Sequence, residues 1–224
     1  MRYFPIFIDL SRKTILVLGA GKVGERKIRS LLKASPKKIT LIDPALSSTG
    51  ALEKFAALGI ECLPRAFRPE DLQGKDLVFA ASSDRGFNAE IAGLCAGRGI
   101  LCNCASTPGE GDFFVPAHFS RDELCLAVGT EGASPALAKL LREDLEARLG
   151  SRYALTLILL KRLRRPLLEL GPGAGDDAGI FRALAASPLE ECLEKGETDK
   201  AANLLRGILP DALKARAGEF LHGL

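Results

Sequence analysis

The sequence predicts an α/β fold: a Rossmann-like parallel sheet, then a segment of further strands and one helix, then a small all-helical C-terminal domain. Three observations predict it. Short apolar runs alternate with helix-period segments over roughly the first hundred residues, a glycine-rich turn joins the first run to the first helix, and from Tyr153 onward only helical periods remain.

The elements follow in order. Thr14 to Leu18 (TILVL) reads as a buried strand, and Lys22 to Lys33 carries Val23, Ile28, Leu31 and Leu32 at helical spacing. Ile39 to Ile42 is the next strand, Gly50 to Leu58 a helix stopped by Gly59, and Glu61 to Pro64 a short extra strand. Leu77 to Ala81 (LVFAA) is a strong strand, followed by a helix over Asn88 to Ala96 that Gly97-Arg98-Gly99 terminates; Ile100 to Cys104 (ILCNC) is another strand. Such alternation predicts parallel strands covered on both faces and joined by right-handed crossovers.

The pattern changes after Pro108. Asp112 to Pro116 and Leu124 to Val128 read as strands, with Arg121-Asp122-Glu123 as a charged turn. Ser134-Pro135 then opens a helix, Ser as N-cap and Pro at the first helical position. Leu137, Leu141 and Leu145 recur along it, Leu140 widens the stripe, and charged residues fill the other face. The later helices are broken by the hinge Gly171-Pro172-Gly173-Ala174-Gly175, by Ser187-Pro188 and by Leu209-Pro210. The expected division is a dinucleotide domain over 1–113, a mixed strand-and-helix segment over 114–149 and a helical domain over 150–224.

Composition sets bounds. The chain has 224 residues, 47% apolar and 26% charged, close to an average globular protein, so disordered and fibrous classes are excluded. A net charge of +3 is too mild to imply nucleic acid, and the absence of Trp argues against a base-stacking platform. The basic run Lys161 to Arg165 reads as a solvated helix face. No apolar run approaches the ~20 residues of a membrane span, and the N-terminus lacks the layout of a signal peptide. Six cysteines without CxxC spacing read as structural thiols of a reducing, cytoplasmic protein, with no metal site.

The sharpest signal is Gly19-Ala20-Gly21-Lys22-Val23-Gly24, a G-x-G-x-x-G turn between a strand and a helix. Gly19 permits the tight turn, Gly21 the approach of a pyrophosphate, and Gly24 the close packing of helix on strand. Asp43, at the end of the next strand and 19 residues past Gly24, is placed to accept ribose hydroxyls. No Arg occupies position 44 or 45, so NAD is expected in preference to NADP. Ser82, Ser83 and Asp84 follow the LVFAA strand, where nicotinamide-edge residues and plain helix caps are equally at home. Asn103, a polar amide in an apolar strand, needs partners. The loop from Gly129 to Pro135, with Thr130, Gly132 and Ser134, offers amides and hydroxyls to an anionic substrate, or merely caps a helix. His118 is one of two histidines and reads as a surface residue or a proton carrier.

The succession FPIFIDL, TILVLGAGKVGERK, FAASSDRGFN, CNCASTPGEGDFFVPA and LAVGTEGASPALAKLLREDLE resembles the precorrin-2 dehydrogenase/sirohydrochlorin ferrochelatase family, the N-terminal module of sirohaem synthase. The resemblance is close over residues 3–149 and looser through FRALAASPLEECLEKGETDKAANLLR. It implies a homodimer, with 114–149 as the dimerisation segment, that oxidises the polycarboxylate tetrapyrrole precorrin-2 with NAD, ferrous iron being a second substrate in some members. It places Gly19, Gly21, Lys22, Val23, Gly24 and Asp43 at the cofactor and Thr130 and Ser134 on the tetrapyrrole side, while Asn88 and Asn103 match asparagines of the family pattern, Asn103 among the expected catalytic residues. One departure stands out: the family commonly has an aspartate where this chain has Ser106. A serine hydroxyl is no general base at neutral pH, so Glu110, Asp112 and His118 are the neighbours expected to substitute. Iron insertion, which must remove two pyrrole protons, is the reaction put in question. Two alternatives stay open: a non-catalytic NAD-binding regulatory module, and a chelatase with little dehydrogenase activity.

Overall fold

The computed structural model describes residues 3–48, 50–149, 153–171 and 177–224, in two compact units, Met1–Val115 and Pro116–Leu224. The first is built on β1 (Thr14–Leu18), β2 (Lys38–Ile42), β3 (Glu61–Leu63), β4 (Leu77–Ala80) and β5 (Leu101–Cys104), all parallel in the order β3-β2-β1-β4-β5. Helices α1 (Lys22–Leu32), α2 (Ala51–Ala56) and α3 (Arg85–Ala96) make the crossovers. Chain order reverses between β1 and β4, and such a switch point opens a crevice at the carboxyl ends of the strands.

Both faces of this sheet are covered, which is why the strands are continuously apolar. On one face Ile15, Val17, Leu41 and Phe79 pack with Ile28 of α1 and Phe55 of α2. On the other, Leu16, Leu18, Val78 and Cys102 pack with Ile91 and Cys95 of α3. In β1 to β4 register Val17 faces Phe79, and in β4 to β5 register Phe79 faces Asn103. The amide of Asn103 therefore lies among apolar neighbours on the α1 side.

The strand expected over Asp112 to Pro116 does not form. Residues 113–116 carry no ladder; Phe113 and Val115 instead turn onto the α1-side core, Phe113 standing edge-on to Phe79 with ring centroids 5.6 Å apart. Pro116 has no N–H to give a ladder. The strand begins one residue later as β6 (Ala117–Arg121), antiparallel to β7 (Leu124–Val128). Arg121, expected in the turn, ends β6 instead, and the turn is Asp122-Glu123 with Asp122 at φ +50°.

In the second unit α4 (Pro135–Leu149) packs on the β6–β7 hairpin, with Ala138 its buried residue. The rest is helical: α5 (Ala154–Glu169), α6 (Asp177–Ala186), α7 (Leu189–Glu194), α8 (Thr198–Ile208), α9 (Asp211–Lys214) and α10 (Ala217–Leu221). Leu159, Leu163 and Leu167, at helical spacing on α5, form its core with Leu205, Leu213 and Phe220. Pro188 and Pro210 stand at the N-caps of α7 and α9, breaking the chain where expected. Of the expected glycine hinge only Gly171 is described, at φ +78°; residues 172–175 lie outside the described residues.

Candidate functional site

The turn after β1 is built by its glycines. Gly19 has φ +101°, and a Cβ there would stand 2.6 Å from the Ala81 carbonyl oxygen; a Cβ on Gly24 would stand 1.9 Å from the Gly19 carbonyl oxygen. Only hydrogen fits at either position. Gly21 differs, since a Cβ there would meet nothing within 4 Å. Its missing side chain keeps open the space in front of the first amides of α1. Gly21 is the N-cap of α1, and no side chain caps those amides. They and the helix dipole present partial positive charge to that space. Lys22 and Val23, on the first turn, are exposed.

Asp43 closes the turn from the side. One carboxylate oxygen accepts the Ala20 N–H and the other the Ala45 N–H, both at 2.7 Å. The residue expected to meet ribose hydroxyls thus also latches the glycine turn to the end of β2. Carboxylate oxygens have lone pairs beyond these two bonds.

Between these walls lies a cavity of about 450 Å³, bounded by the glycine turn, by Asp43 to Ala45, by Ala66-Phe67 after β3 and by Ser82 to Asp84 after β4. Its volume and its mixture of apolar and polar lining suit an adenosine. The guanidinium nearest in sequence is not offered to it: Arg65 holds Asp71 through two bonds of 2.7 and 2.8 Å. The same ion pair holds the Asp71 carboxyl below its usual range. The cradle fits a dinucleotide without a ribose phosphate, as the absence of arginine at positions 44 and 45 suggested.

A polar chain runs from the cavity to the end of β5. Asn88, on α3 and fully buried, accepts the Ser82 N–H at 3.0 Å and donates to the Ser82 carbonyl at 2.9 Å and to Ser106 Oγ at 3.1 Å. Ser106 Oγ lies 3.6 Å from Cys104 Sγ, and that thiol lies 3.9 Å from Glu110 Oε2. Sequence reasoning ranked Ser82 and Ser106 as separate candidates and overlooked that Asn88 ties them together. The signal available was an Asn in an otherwise apolar helical stripe beside Ile91, Ala92 and Cys95. Asp84 takes the plain role: its side chain caps α3 by accepting the Phe87 N–H at 3.1 Å.

Asn103 finds one partner, donating to the Phe113 carbonyl at 2.8 Å, while its buried Oδ1 has none. Asp112 is a structural closure of the sheet edge: its carboxylate accepts the Cys102 N–H and its own N–H reaches the Cys102 carbonyl, each at 2.8 Å. Nearby, Lys27 of α1 sits 5.8 Å above the Phe79 ring, and burial, then Arg26, pushes its ammonium down to about 8.

The remaining candidates belong to the second unit. His118 is exposed on β6, with Nδ1 3.0 Å from the Pro116 carbonyl. The loop before α4 is closed on itself: Thr130 Oγ1 accepts the Ser134 N–H and donates to the Ser134 carbonyl, Ala133 N–H bonds the Thr130 carbonyl, and Ser134 Oγ caps the Leu137 N–H at 3.1 Å. Gly132 gives this turn its φ of +88°. The basic run on α5 is largely spoken for, since Lys161 pairs with Glu123, Arg162 with the Phe220 and His222 carbonyls and Arg165 with Glu169. Among the described residues no cluster of His, Cys, Asp or Glu could hold a metal ion, and no helix is long and apolar enough to cross a membrane.

Residues 6–117 match the family model described as "Putative NAD(P)-binding". The chain belongs to this NAD(P)-binding family. The family thus names the ligand that the glycine turn, the Asp43 latch and the adenosine-sized cavity fit. Among curated proteins the chain is 32% identical to a siroheme synthase of Thioalkalivibrio sulfidiphilus over 216 residues, covering 96% of this chain and 44% of that one. It is 33% identical to siroheme synthase 1 of Aeromonas salmonicida, covering 100% of this chain and 47% of that one. The chain spans less than half the length of these relatives. Among solved structures, SirC, a precorrin-2 dehydrogenase, superposes with a TM-score of 0.69 at 24% identity over 92% of this chain and 98% of that one, a match of fold.

Proposed function

We propose that this chain is an NAD-dependent precorrin-2 dehydrogenase, oxidising precorrin-2 to sirohydrochlorin on the route to sirohaem. The observation that carries the reading is similarity to siroheme synthases along the whole chain, helical unit included, and not along the nucleotide domain alone. NAD supplies a two-electron hydride acceptor when bound. Gly19 to Gly24 would hold its pyrophosphate and Asp43 its adenosine ribose, with Ser82 and Ser83 toward the nicotinamide ribose. The Asn88-held end of β5, with Ser106 and Asn103, would border the reacting ring. Thr130, Gly132 and Ser134 would lie on the tetrapyrrole side. The Thr130 hydroxyl is occupied within the loop, while Ser134 Oγ accepts from the Leu137 N–H and would keep its own proton for a substrate oxygen.

The proposal includes a homodimer with the three-part division 1–113, 114–149 and 150–224. Its support is α4, where Leu137, Leu140 and Leu141 are 49%, 62% and 42% exposed, an apolar stripe unlike the buried leucines of α5. Six free thiols suit a reducing cytoplasm. Ferrous iron would enter as a second substrate, inserted into the product tetrapyrrole as two pyrrole protons leave, the activity that Ser106 puts to the test.

The deciding experiment is anaerobic incubation of the chain with precorrin-2 and NAD. Stoichiometric NADH and the sirohydrochlorin spectrum are expected. NAD binding without turnover would replace this reading by a regulatory module. Adding ferrous or cobaltous ion afterwards measures the chelatase separately, and sedimentation of Leu140→Glu against the parent measures the dimer.

A further inference from the structure

Hydrogen-bond direction along the polar chain assigns a role that the glycine motif does not touch. Asn88 Nδ2 donates to Ser106 Oγ at 3.1 Å, and the Asn88 orientation is set by its oxygen accepting the Ser82 N–H. One lone pair of Ser106 is thereby filled, and its own proton must point elsewhere. Among the described residues the acceptor it is offered is the weak one of Cys104 Sγ at 3.6 Å. Ser106 is therefore a donor toward whatever lies against the end of β5. As a neutral hydroxyl it is too weak a base to take the proton of the reaction at neutral pH.

The acceptor in this corner is Glu110. Its Oε2 stands 3.9 Å from the same Cys104 sulfur, so hydroxyl and carboxylate flank one buried thiol. Glu110 ends the 3-10 turn Pro108–Glu110 that follows β5, and it is exposed, so a proton taken up can pass on to water. Asp112, the other carboxylate of this segment, is committed to the Cys102 amide on the strand edge.

We propose that Glu110 is the proton acceptor of the reaction and Ser106 the donor that orients the substrate beside it. The inference rests on the dehydrogenase reading. That oxidation removes two hydrogens from the tetrapyrrole: one leaves with its electron pair as hydride to the dinucleotide, the other as a proton. The proton goes to the Glu110 carboxylate and from there to solvent, leaving the carboxylate unchanged after each turnover.

The test compares the parent protein with Glu110→Gln, Glu110→Ala and Glu110→Asp, following NADH formation from precorrin-2 and, separately, NAD affinity by calorimetry. Loss of a general base predicts kcat at least ~100-fold lower for the Gln and Ala variants. NAD affinity should be unchanged, the Asp variant should recover part of the rate, and added formate should revive Glu110→Ala. Rescue by a free carboxylate is a response that a purely structural glutamate would not show. A Glu110→Gln protein turning over within about threefold of the parent, well short of a general-base effect, overturns the assignment. So does a slow Glu110→Ala that formate leaves slow. If the parent itself oxidises no precorrin-2, the dehydrogenase reading fails and this inference falls with it. An active parent with an indifferent Glu110 removes only the inference.

Discussion

Each unit contains a strand that turns into a helix through a glycine-rich loop, and the two loops have opposite fates. After β1, Gly21 leaves the first amides of α1 without a side-chain cap. After β7, Ser134 caps the Leu137 amide, and Thr130 ties both ends of its own loop together. Both loops look alike as sequence, small residues before a helix. The difference lies in one side chain at the N-cap: a glycine leaves donors for a ligand, whereas a serine spends a donor on the fold. A helix start becomes an anion site when the protein declines to cap it.

That contrast can be broken most severely at Gly24. Gly24→Ala places a methyl 1.9 Å from the Gly19 carbonyl oxygen. We expect no measurable NAD binding by calorimetry and a loss of about 1–3 kcal/mol in stability by denaturant titration, the cost of overpacking. Gly21→Ala sharpens the comparison: its methyl meets open space, so stability should hold while NAD affinity falls at least about tenfold, roughly 1.4 kcal/mol. Asp43→Ala should weaken NAD by about 10–100-fold, since it removes a charged acceptor and frees the Ala20 amide. In the second unit, Ser134→Ala should cost about 1 kcal/mol in thermal unfolding and leave NAD affinity untouched.

The smallest effect concerns pH. Lys27, on α1 just past the open turn, is charged below about 8 in the folded protein and below 10.5 in the unfolded chain. Between those values the unfolded chain binds more protons, so this residue makes stability rise with pH across that window and level off above it. Lys27→Met should abolish the rise and stabilise the protein at pH 7 by on the order of 1 kcal/mol. A parent whose stability is flat from pH 8 to 10.5 would show the ammonium to be well solvated.

Much of the first unit was legible because its strands are buried on both faces and its turns need glycine. β1 fell on the residues expected, and α1 and β2 lay within one residue of expectation. The failures have physical causes. Asp112 to Pro116 has the composition of a strand, but Pro116 cannot donate and Phe113 finds a better place on the core than in a ladder. The glycine turn and Asp43 were readable from spacing alone. The Ser82–Asn88–Ser106 connection was not, because it joins residues 6 and 18 positions apart through the fold. The Leu137, Leu140 and Leu141 stripe was readable as apolar, but its exposure was not, since periodicity gives a face without saying what covers it.

The Asp43 latch has a consequence for anyone who would redesign this protein. Switching a dehydrogenase from one nicotinamide coenzyme to its phosphorylated counterpart commonly begins by replacing the acidic residue and adding an arginine beside it. Here that first move would also cut the string that ties the opening loop to the end of β2, and with it the local turn at Ala45. A successful retrofit must supply a new acceptor for the Ala20 and Ala45 amides before it asks the pocket to welcome an extra phosphate.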